Sequence, residues 1–147
     1  MNLSERLNED MKQAMKSQDK LKLSTIRMVR SAMKNLEIDL KRTLEDNEVL
    51  DILSREIKQR KDALQEFEKA GREDLAANAR AEVEIIAEYL PKQLTEEEIK
   101  VIVQQTIQET GASSKADIGK VMSTLMPKVK GRADGKLINQ AVQQFLQ

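Results

Sequence analysis

The sequence contains no cysteine, histidine or tryptophan, and its only aromatic residues are two phenylalanines and one tyrosine. Without cysteine no disulfide framework is possible, and nothing points to secretion. Without cysteine or histidine there is no thiolate nucleophile, no histidine-based catalytic triad and no zinc site of the usual kind. Because aromatic rings are so few, we expect an aliphatic core that uses several of the seven methionines.

The sequence also lacks the glycine-rich motifs that bind nucleotides. The segment from Gly131 to Leu137 superficially suggests a Walker loop, with Lys136 after its second glycine. A Walker loop needs four residues between its glycines and Ser or Thr after the lysine, whereas this segment has three and a leucine. No G-x-G-x-x-G is present either. A kinase, a dehydrogenase or a thiol enzyme is therefore not expected, and no cofactor or metal ion is predicted.

Long apolar runs are absent, and positive and negative charges balance. No window approaches the roughly 18 apolar residues of a membrane-spanning helix. The first six residues already carry charge and lack an apolar signal core. The 25 Lys and Arg offset 25 Asp and Glu, which argues against nucleic-acid binding through overall charge but not through a local basic patch. We expect a soluble, cytoplasmic protein with no membrane partner.

The pattern that is present is helical. Apolar residues recur at steps of three and four, and no segment shows the alternation of a strand. Seven helices are expected: from residue 4, then 19–42, 47–70, 73–89, 95–110, 118–125 with Pro127 near the end, and 135–146. Pro91 marks a boundary, because the residue before proline avoids helical angles. We predict an all-α protein with an N-terminal antiparallel helical bundle, residues 1–90, and a small three-helix tail domain, residues 91–147.

Two charged residues interrupt the apolar stripes of the third and fourth predicted helices. They are Arg60 and Glu82. In an antiparallel hairpin about Gly71, facing residue numbers sum to about 142, so these two residues lie opposite each other. Since a buried charge is tolerated only when paired, we predict a structural ion pair that fixes the hairpin register. The alternatives are that both side chains reach solvent along their apolar stems, or that Arg60 anchors a partner.

A basic segment lies around the loop between the last two predicted helices. From Gly119 to Lys136 it holds five Lys or Arg against one acid, Asp134, a net +4 in a chain whose total is zero. Gly131 can stop one helix in a left-handed conformation, and Asp134 can cap the next. The segment is either a solvated turn, which composition alone favours, or a phosphate-contacting corner. In the second case the candidate nucleic-acid-binding residues are Lys120, Lys128, Lys130, Arg132 and Lys136.

A second group of cations lies on the second predicted helix. At about 100° per residue, Arg27, Arg30 and Lys34 cluster on a face that adjoins the apolar stripe. The group is either a solvated flank, the more common case, or a second strip for a nucleic-acid backbone. The basic segment at 119–136 contains no aromatic residue on which to stack unpaired bases. Binding there is therefore expected to follow backbone and shape.

Several motifs resemble one known family. They are Leu23-Ser-Thr-Ile-Arg-Met28, Tyr89-Leu-Pro-Lys-Gln-Leu-Thr-Glu-Glu-Glu98, and Gly119-x-Val-Met122 with Lys130-Gly-Arg-Ala-Asp-Gly-Lys-Leu-Ile-Asn139. Together they resemble the GatB/YqeY family, which comprises small YqeY-like proteins and the C-terminal tail of the GatB component of the Asp/Glu-tRNA amidotransferase. The resemblance covers nearly the whole chain and is closest to the free-standing proteins. In the amidotransferase tail Asn-Pro usually replaces Asp134-Gly135, and both pairs suit a helix start.

The resemblance implies a tRNA-binding or tRNA-amidotransferase-like accessory module with no catalytic site of its own. Its expected partners are tRNA and either a tRNA-charging enzyme or another component of an amidotransferase. One alternative that the family implies is carbon–nitrogen ligase activity with glutamine as amide donor. The sequence has neither a glutaminase nucleophile constellation nor an ATP site for that reaction. The other alternative is a helical adaptor that binds only protein through an exposed apolar patch.

Overall fold

The computed structural model describes residues 1–146, which form seven α-helices, one short 3₁₀ turn and no strand. The prediction of an all-α fold is therefore confirmed. The helices are α1 (Leu3–Ser17), α2 (Lys20–Leu40), α3 (Asp46–Lys69), α4 (Glu73–Ala87), α5 (Glu96–Thr110), α6 (Ile118–Val129) and α7 (Gly135–Phe145), with the 3₁₀ turn at Lys115–Asp117. The chain divides into two compact units, Met1–Leu90 and the part from Pro91 onward.

Local capping sets the start and the end of α1. Asn2 accepts a hydrogen bond from the Glu5 amide at 2.8 Å, and the Glu5 carboxylate accepts one from the Asn2 amide at 3.2 Å. This reciprocal capping box starts the helix slightly earlier than the predicted Ser4. Gln18 ends α1 in the left-handed region at φ 59°, and the Asp19 side chain caps α2 at once. Because only Gln18 and Asp19 separate the two helices, α1 and α2 pack together as antiparallel neighbours.

The core of the first unit is aliphatic, as the shortage of aromatic residues predicts. Its buried members are Leu7, Ile26, Val29, Met33, Val49, Ile52, Leu53, Ile57, Ile86 and Tyr89. The longest helix, α3, has 24 residues and extends about 36 Å. It packs along α4 through a turn at Gly71, whose φ of 69° is in the region that favours glycine.

Arg60 lies in the seam between α3 and α4, with its side chain only 7% exposed. Its Nε donates to Glu82 Oε2 at 2.7 Å, the contact that the hairpin register requires. Its Nη1 donates to Glu56 Oε2 at 2.5 Å, and Nη2 lies 3.3 Å from Met28 Sδ on α2. One cation is therefore shared by two carboxylates, whose side chains retain 13% (Glu56) and 26% (Glu82) exposure.

Tyr89 joins the end of the first unit to its beginning. Its hydroxyl donates a hydrogen bond to Asp10 on α1, and the Arg6 guanidinium lies 4.6 Å from the centre of its ring. Arg6 also donates to the Glu88 carbonyl at 3.0 Å. Burial, together with the Asp10 carboxylate, raises the pKa of Tyr89 above its ordinary value. The helix itself ends at Ala87, two residues before the predicted end.

The second unit packs α5, α6 and α7 around a core of its own. Its buried members are Ile99, Val103, Val121, Leu125, Val129, Ile138, Ala141, Val142 and Leu146. Thr95 and Glu98 form a capping box at the start of α5, and Gly111 ends that helix at φ 68°. Pro127 lies inside α6, which continues to Val129. Among residues 1–146 no helix is long and apolar enough to cross a membrane.

The stability of the α3–α4 seam depends on which charge loses its partner. We expect Glu56→Gln with Glu82→Gln to cost about 3 to 5 kcal/mol, because the buried Arg60 cation is left uncompensated. Arg60→Met is expected to cost less, roughly 1 to 3 kcal/mol, because both carboxylates can turn to water. Urea unfolding of the variants measures both changes. A larger loss in Arg60→Met than in the double glutamine variant would contradict this assignment.

Candidate nucleic-acid interface

The loop between α6 and α7 is held by its own backbone. Gly131 has a φ of 72°, and the Arg132 amide donates to the Val129 carbonyl at 2.9 Å, which closes the end of α6. Asp134 then caps α7 by accepting from the Lys136 amide at 2.9 Å. The glycine and the aspartate therefore act as the sequence predicts, and they fix a short loop that presents Lys130 and Arg132.

A second segment, 91–95, lies against this loop. The Leu94 amide donates to the Arg132 carbonyl at 2.7 Å, and the Gln93 side chain donates to the Gly131 carbonyl at 2.8 Å. These bonds bring Lys92 to the same corner of the unit, although it is about 40 residues away along the chain. We call the group Lys92, Lys130, Arg132 and Lys136 the basic corner.

The pKa of Glu98 reports on this arrangement. Hydrogen bonds with the Thr95 main chain and side chain hold the pKa of Glu98 below its usual value. The nearby positive charges of Lys92 and Arg132 lower it further. Both cations therefore lie close enough to the start of α5 to act on the same carboxylate. Asp134 is also in the loop, and Glu96 and Glu97 stand beside Glu98 in the first turn of α5, so the corner is less strongly positive than the count along the sequence indicates.

Two of the five candidate cations do not join the basic corner. Lys128 Nζ lies 2.7 Å from Glu109 Oε2 and 3.1 Å from Thr106 Oγ1, so its charge is paired within the unit. Lys120 lies near the start of α6, nine residues before Val129, which places it about 14 Å from the loop along the helix. Sequence proximity grouped these residues with the loop, but the rise of α6 and a partner on α5 separate them from it.

The three candidate cations on α2 differ in their exposure to solvent. Arg27 and Lys34 are exposed. Arg30 is half-buried, and its Nη1 lies 3.0 Å from Met11 Sδ on α1. These residues belong to the first unit, whereas the basic corner belongs to the second.

The chemistry that the basic corner offers is recognition of anions. Ammonium and guanidinium groups donate hydrogen bonds to phosphate oxygens and neutralise their charge. Lys92, Lys130 and Lys136 are exposed, and Arg132 is half-buried. Within residues 1–146 no group of acidic side chains is placed to hold a metal ion.

Comparison with known proteins gives a family match over almost the whole chain. A family model described as Yqey-like protein matches residues 4–146. The chain is 30% identical over 144 residues to Altered inheritance of mitochondria protein 41, mitochondrial, of Pyrenophora tritici-repentis, which covers 96% of this chain and 79% of the relative. It is 46% identical over 85 residues to the protein of that name from Vanderwaltozyma polyspora, covering 57% and 46%. It is 32% identical over 133 residues to the protein of that name from Saccharomyces cerevisiae (strain YJM789), and the match covers 90% of this chain and 63% of the relative.

These relatives correct the expected location. The matched region is about half of the Vanderwaltozyma protein and less than two thirds of the Saccharomyces protein. All three relatives are named as mitochondrial, so the prediction of a cytoplasmic protein is wrong. That prediction relied on the lack of an apolar signal core, which argues only against a secretory signal. Mitochondrial transit segments are amphipathic and rich in arginine, so they need no such core.

The placement of Lys92 and Arg132 beside Glu98 predicts a pKa change. Replacing both with glutamine removes two positive charges, so the pKa of Glu98 should rise toward its ordinary value. Because the folded-state pKa of Glu98 lies below its unfolded value, its contribution to stability is present above the unfolded pKa and is lost as the pH falls through the folded one. In the variant the stabilising contribution should be smaller, and its loss should be complete at a higher pH, because only the folded-state pKa rises. NMR titration of the Glu98 carboxyl carbon measures the change, with Lys115→Gln as a control. An unchanged pKa of Glu98 in the double variant would show that Lys92 and Arg132 do not lie close to this carboxylate.

Proposed function

The chain belongs to the family of Yqey-like proteins, and on this premise we propose that it is an accessory module that binds the phosphate backbone of tRNA through the basic corner. The observation that supports the proposal is the pairing of segment 91–95 with the α6–α7 loop, which gathers four cations from two distant stretches of sequence. The module has no catalytic step of its own in this proposal. It would deliver or hold tRNA for an enzyme that acts on it.

The residues of the basic corner favour backbone contacts over base reading. The corner has three compact lysine ammonium groups and one planar arginine guanidinium, both of which bind phosphate oxygens. The segments that hold them contain no aromatic ring on which a base could stack. Phosphate contacts fix position and orientation but carry no sequence information. We therefore propose that the chain binds many tRNAs alike and that a partner enzyme supplies the choice among them. The names of the relatives make mitochondrial tRNA one of the pools to test.

The ion pair between Lys128 and Glu109 refines the proposal. A phosphate would have to displace a carboxylate that lies 2.7 Å from Lys128 Nζ and a hydroxyl at 3.1 Å. Lys128 is therefore left out of the proposed contact set, although it lies in the basic segment. Lys92 takes its place because the backbone pairing brings it to the corner.

The test is the salt dependence of tRNA binding to the full chain. We define the corner variant as Lys92→Gln, Lys130→Gln and Lys136→Gln. Each lost phosphate contact removes about 0.7 to 0.9 from the slope of log K against log salt, so the slope should flatten by roughly 2 to 3. Fluorescence titration against total tRNA, between about 50 and 200 mM salt, measures it.

Two controls make this test specific. The control variant, Arg55→Gln, Lys58→Gln and Lys61→Gln, removes the same charge from exposed positions on α3. Lys128→Gln removes a paired cation and should leave the slope unchanged. Equal slopes for the corner and control variants would refute the proposed corner. Equal affinity for tRNA and for duplex DNA of the same length would refute the choice of tRNA.

A further inference from the structure

The first unit separates its charges along the chain. Residues 11–36 contain seven Lys or Arg and one Asp, a net charge of +6. The rest of that unit, residues 1–10 and 37–90, contains ten Lys or Arg and 18 Asp or Glu, a net charge of −8. The positive stretch is the end of α1, the short turn and most of α2. Overall neutrality therefore conceals a strongly cationic helical hairpin.

Three of these cations form a straight row on α2. Lys20, Arg27 and Lys34 follow one another at steps of seven residues, which is about 20° short of two full helical turns. They therefore lie nearly in line, about 10.5 Å apart, over a length of about 21 Å. All three side chains are exposed, on the side of α2 opposite the buried Val29. We call these three residues the cationic row.

The cationic row has no partner within the described residues 1–146. Other arginines of the same unit are paired, with Arg42 2.7 Å from Glu48 and Arg80 2.8 Å from Glu73. In the described chain no acidic side chain lies within 4.0 Å of the charged nitrogens of Lys20, Arg27 or Lys34. The unit therefore has carboxylates in excess, yet the row is left without any.

The spacing of the row indicates the kind of ligand. The ends of the row are about 21 Å apart on one helix, so the three cations cannot all contact a single phosphate or carboxylate, and the ligand must present several anionic groups. A nucleic-acid duplex supplies such groups, since B-DNA carries about one negative charge per 1.7 Å of axis. The exposed hydroxyl and amide groups of Ser31 and Asn35, beside the row, add donors of the kind that contact phosphates and sugars.

We propose that the cationic row of α2 is a binding surface for the backbone of duplex RNA, distinct from the basic corner of the second unit. The proposal rests on the proposed function in one respect, that the natural ligand is an RNA. A duplex is favoured over a single strand because α2 has no aromatic residue on which bases could stack. Double-stranded RNA is recognised by shape and by its phosphates and 2′-hydroxyls, which a row of exposed polar side chains can contact.

An anionic membrane is the main rival ligand, and the surface fits it less well. Helices that lie in a bilayer surface bury a continuous apolar face. The exposed apolar side chains of α2 near the row are Met28, 54% exposed, and Ile38, 64% exposed. They are ten residues, or about 15 Å, apart, with Ser31 and Asn35 between them. The apolar face of α2 is already used in the core of the unit.

The test uses the full chain with Lys20→Gln, Arg27→Gln and Lys34→Gln, the row variant. The ligand is a blunt RNA duplex of about 16 base pairs, a length that double-stranded RNA-binding domains span. The row variant should flatten the slope of log K against log salt by roughly 2 to 3, and the control variant on α3 should not. Circular dichroism and urea unfolding check that both variants remain folded. Equal slopes for the row and control variants overturn the proposal.

Two further measurements separate this proposal from its rivals. Flotation with vesicles of phosphatidylcholine and phosphatidylserine tests the membrane. If the row variant loses vesicle binding but keeps duplex RNA binding, the surface belongs to a membrane and the proposal is wrong. Comparison with the corner variant separates the two sites. If only the row variant loses RNA binding, the result supports the cationic row and refutes the basic corner. If only the corner variant loses RNA binding, the result supports the basic corner and refutes the cationic row.

Discussion

One buried positive charge organises the first unit. Arg60 lies in an otherwise apolar seam, and it is tolerated there because carboxylates from two helices accept its hydrogen bonds. A slip of α4 along α3 by one turn, about 5.4 Å, would separate Arg60 from Glu82. The pairing therefore fixes the register of the hairpin. The contact of Arg60 with Met28 extends this constraint to α2 and so helps to fix which side of α2 faces solvent.

The orientation of α2 matters because the charged residues of the chain are distributed unevenly. Its total charge is zero, and most charged side chains lie on the surface, where ion pairs contribute about 1 kcal/mol or less each. The paired arginines on the surface of the first unit therefore add little to stability and little field at a distance. Cations that are grouped together attract an anionic ligand more strongly than cations scattered among carboxylates. The proposed binding surfaces therefore rest on the local grouping of charges and not on their total count.

Much of the fold could be predicted from the sequence because its signals are local. Periodicity indicated seven helices, and the predicted capping residues Gly131 and Asp134 do end α6 and begin α7. Counting along the hairpin placed Arg60 opposite Glu82, and the structure has them 2.7 Å apart. Glu56 was missed, although a residue one turn before Arg60 on the same helix is a natural partner.

The candidate site was less predictable because its contacts are not local. Lys92 joins the corner because its neighbours Gln93 and Leu94 donate hydrogen bonds to carbonyl groups about 40 positions away, and nothing in the segment itself signals these bonds. Lys128 leaves the corner because Glu109, on another helix, is within reach. Such exchanges follow from packing, and a count of charges within a window of sequence contains no information about them.

The bonds around Tyr89 have a further consequence for how the first unit unfolds. Arg6 and Asp10, on the first helix, contact the last two residues before Leu90, so the unit is fastened at the two ends of its own sequence. Such a closure makes the ends part of the cooperative unit instead of its fraying edges. When α1 detaches, Glu88 and Tyr89 lose these contacts in the same event, so the two ends of the unit are expected to unfold together.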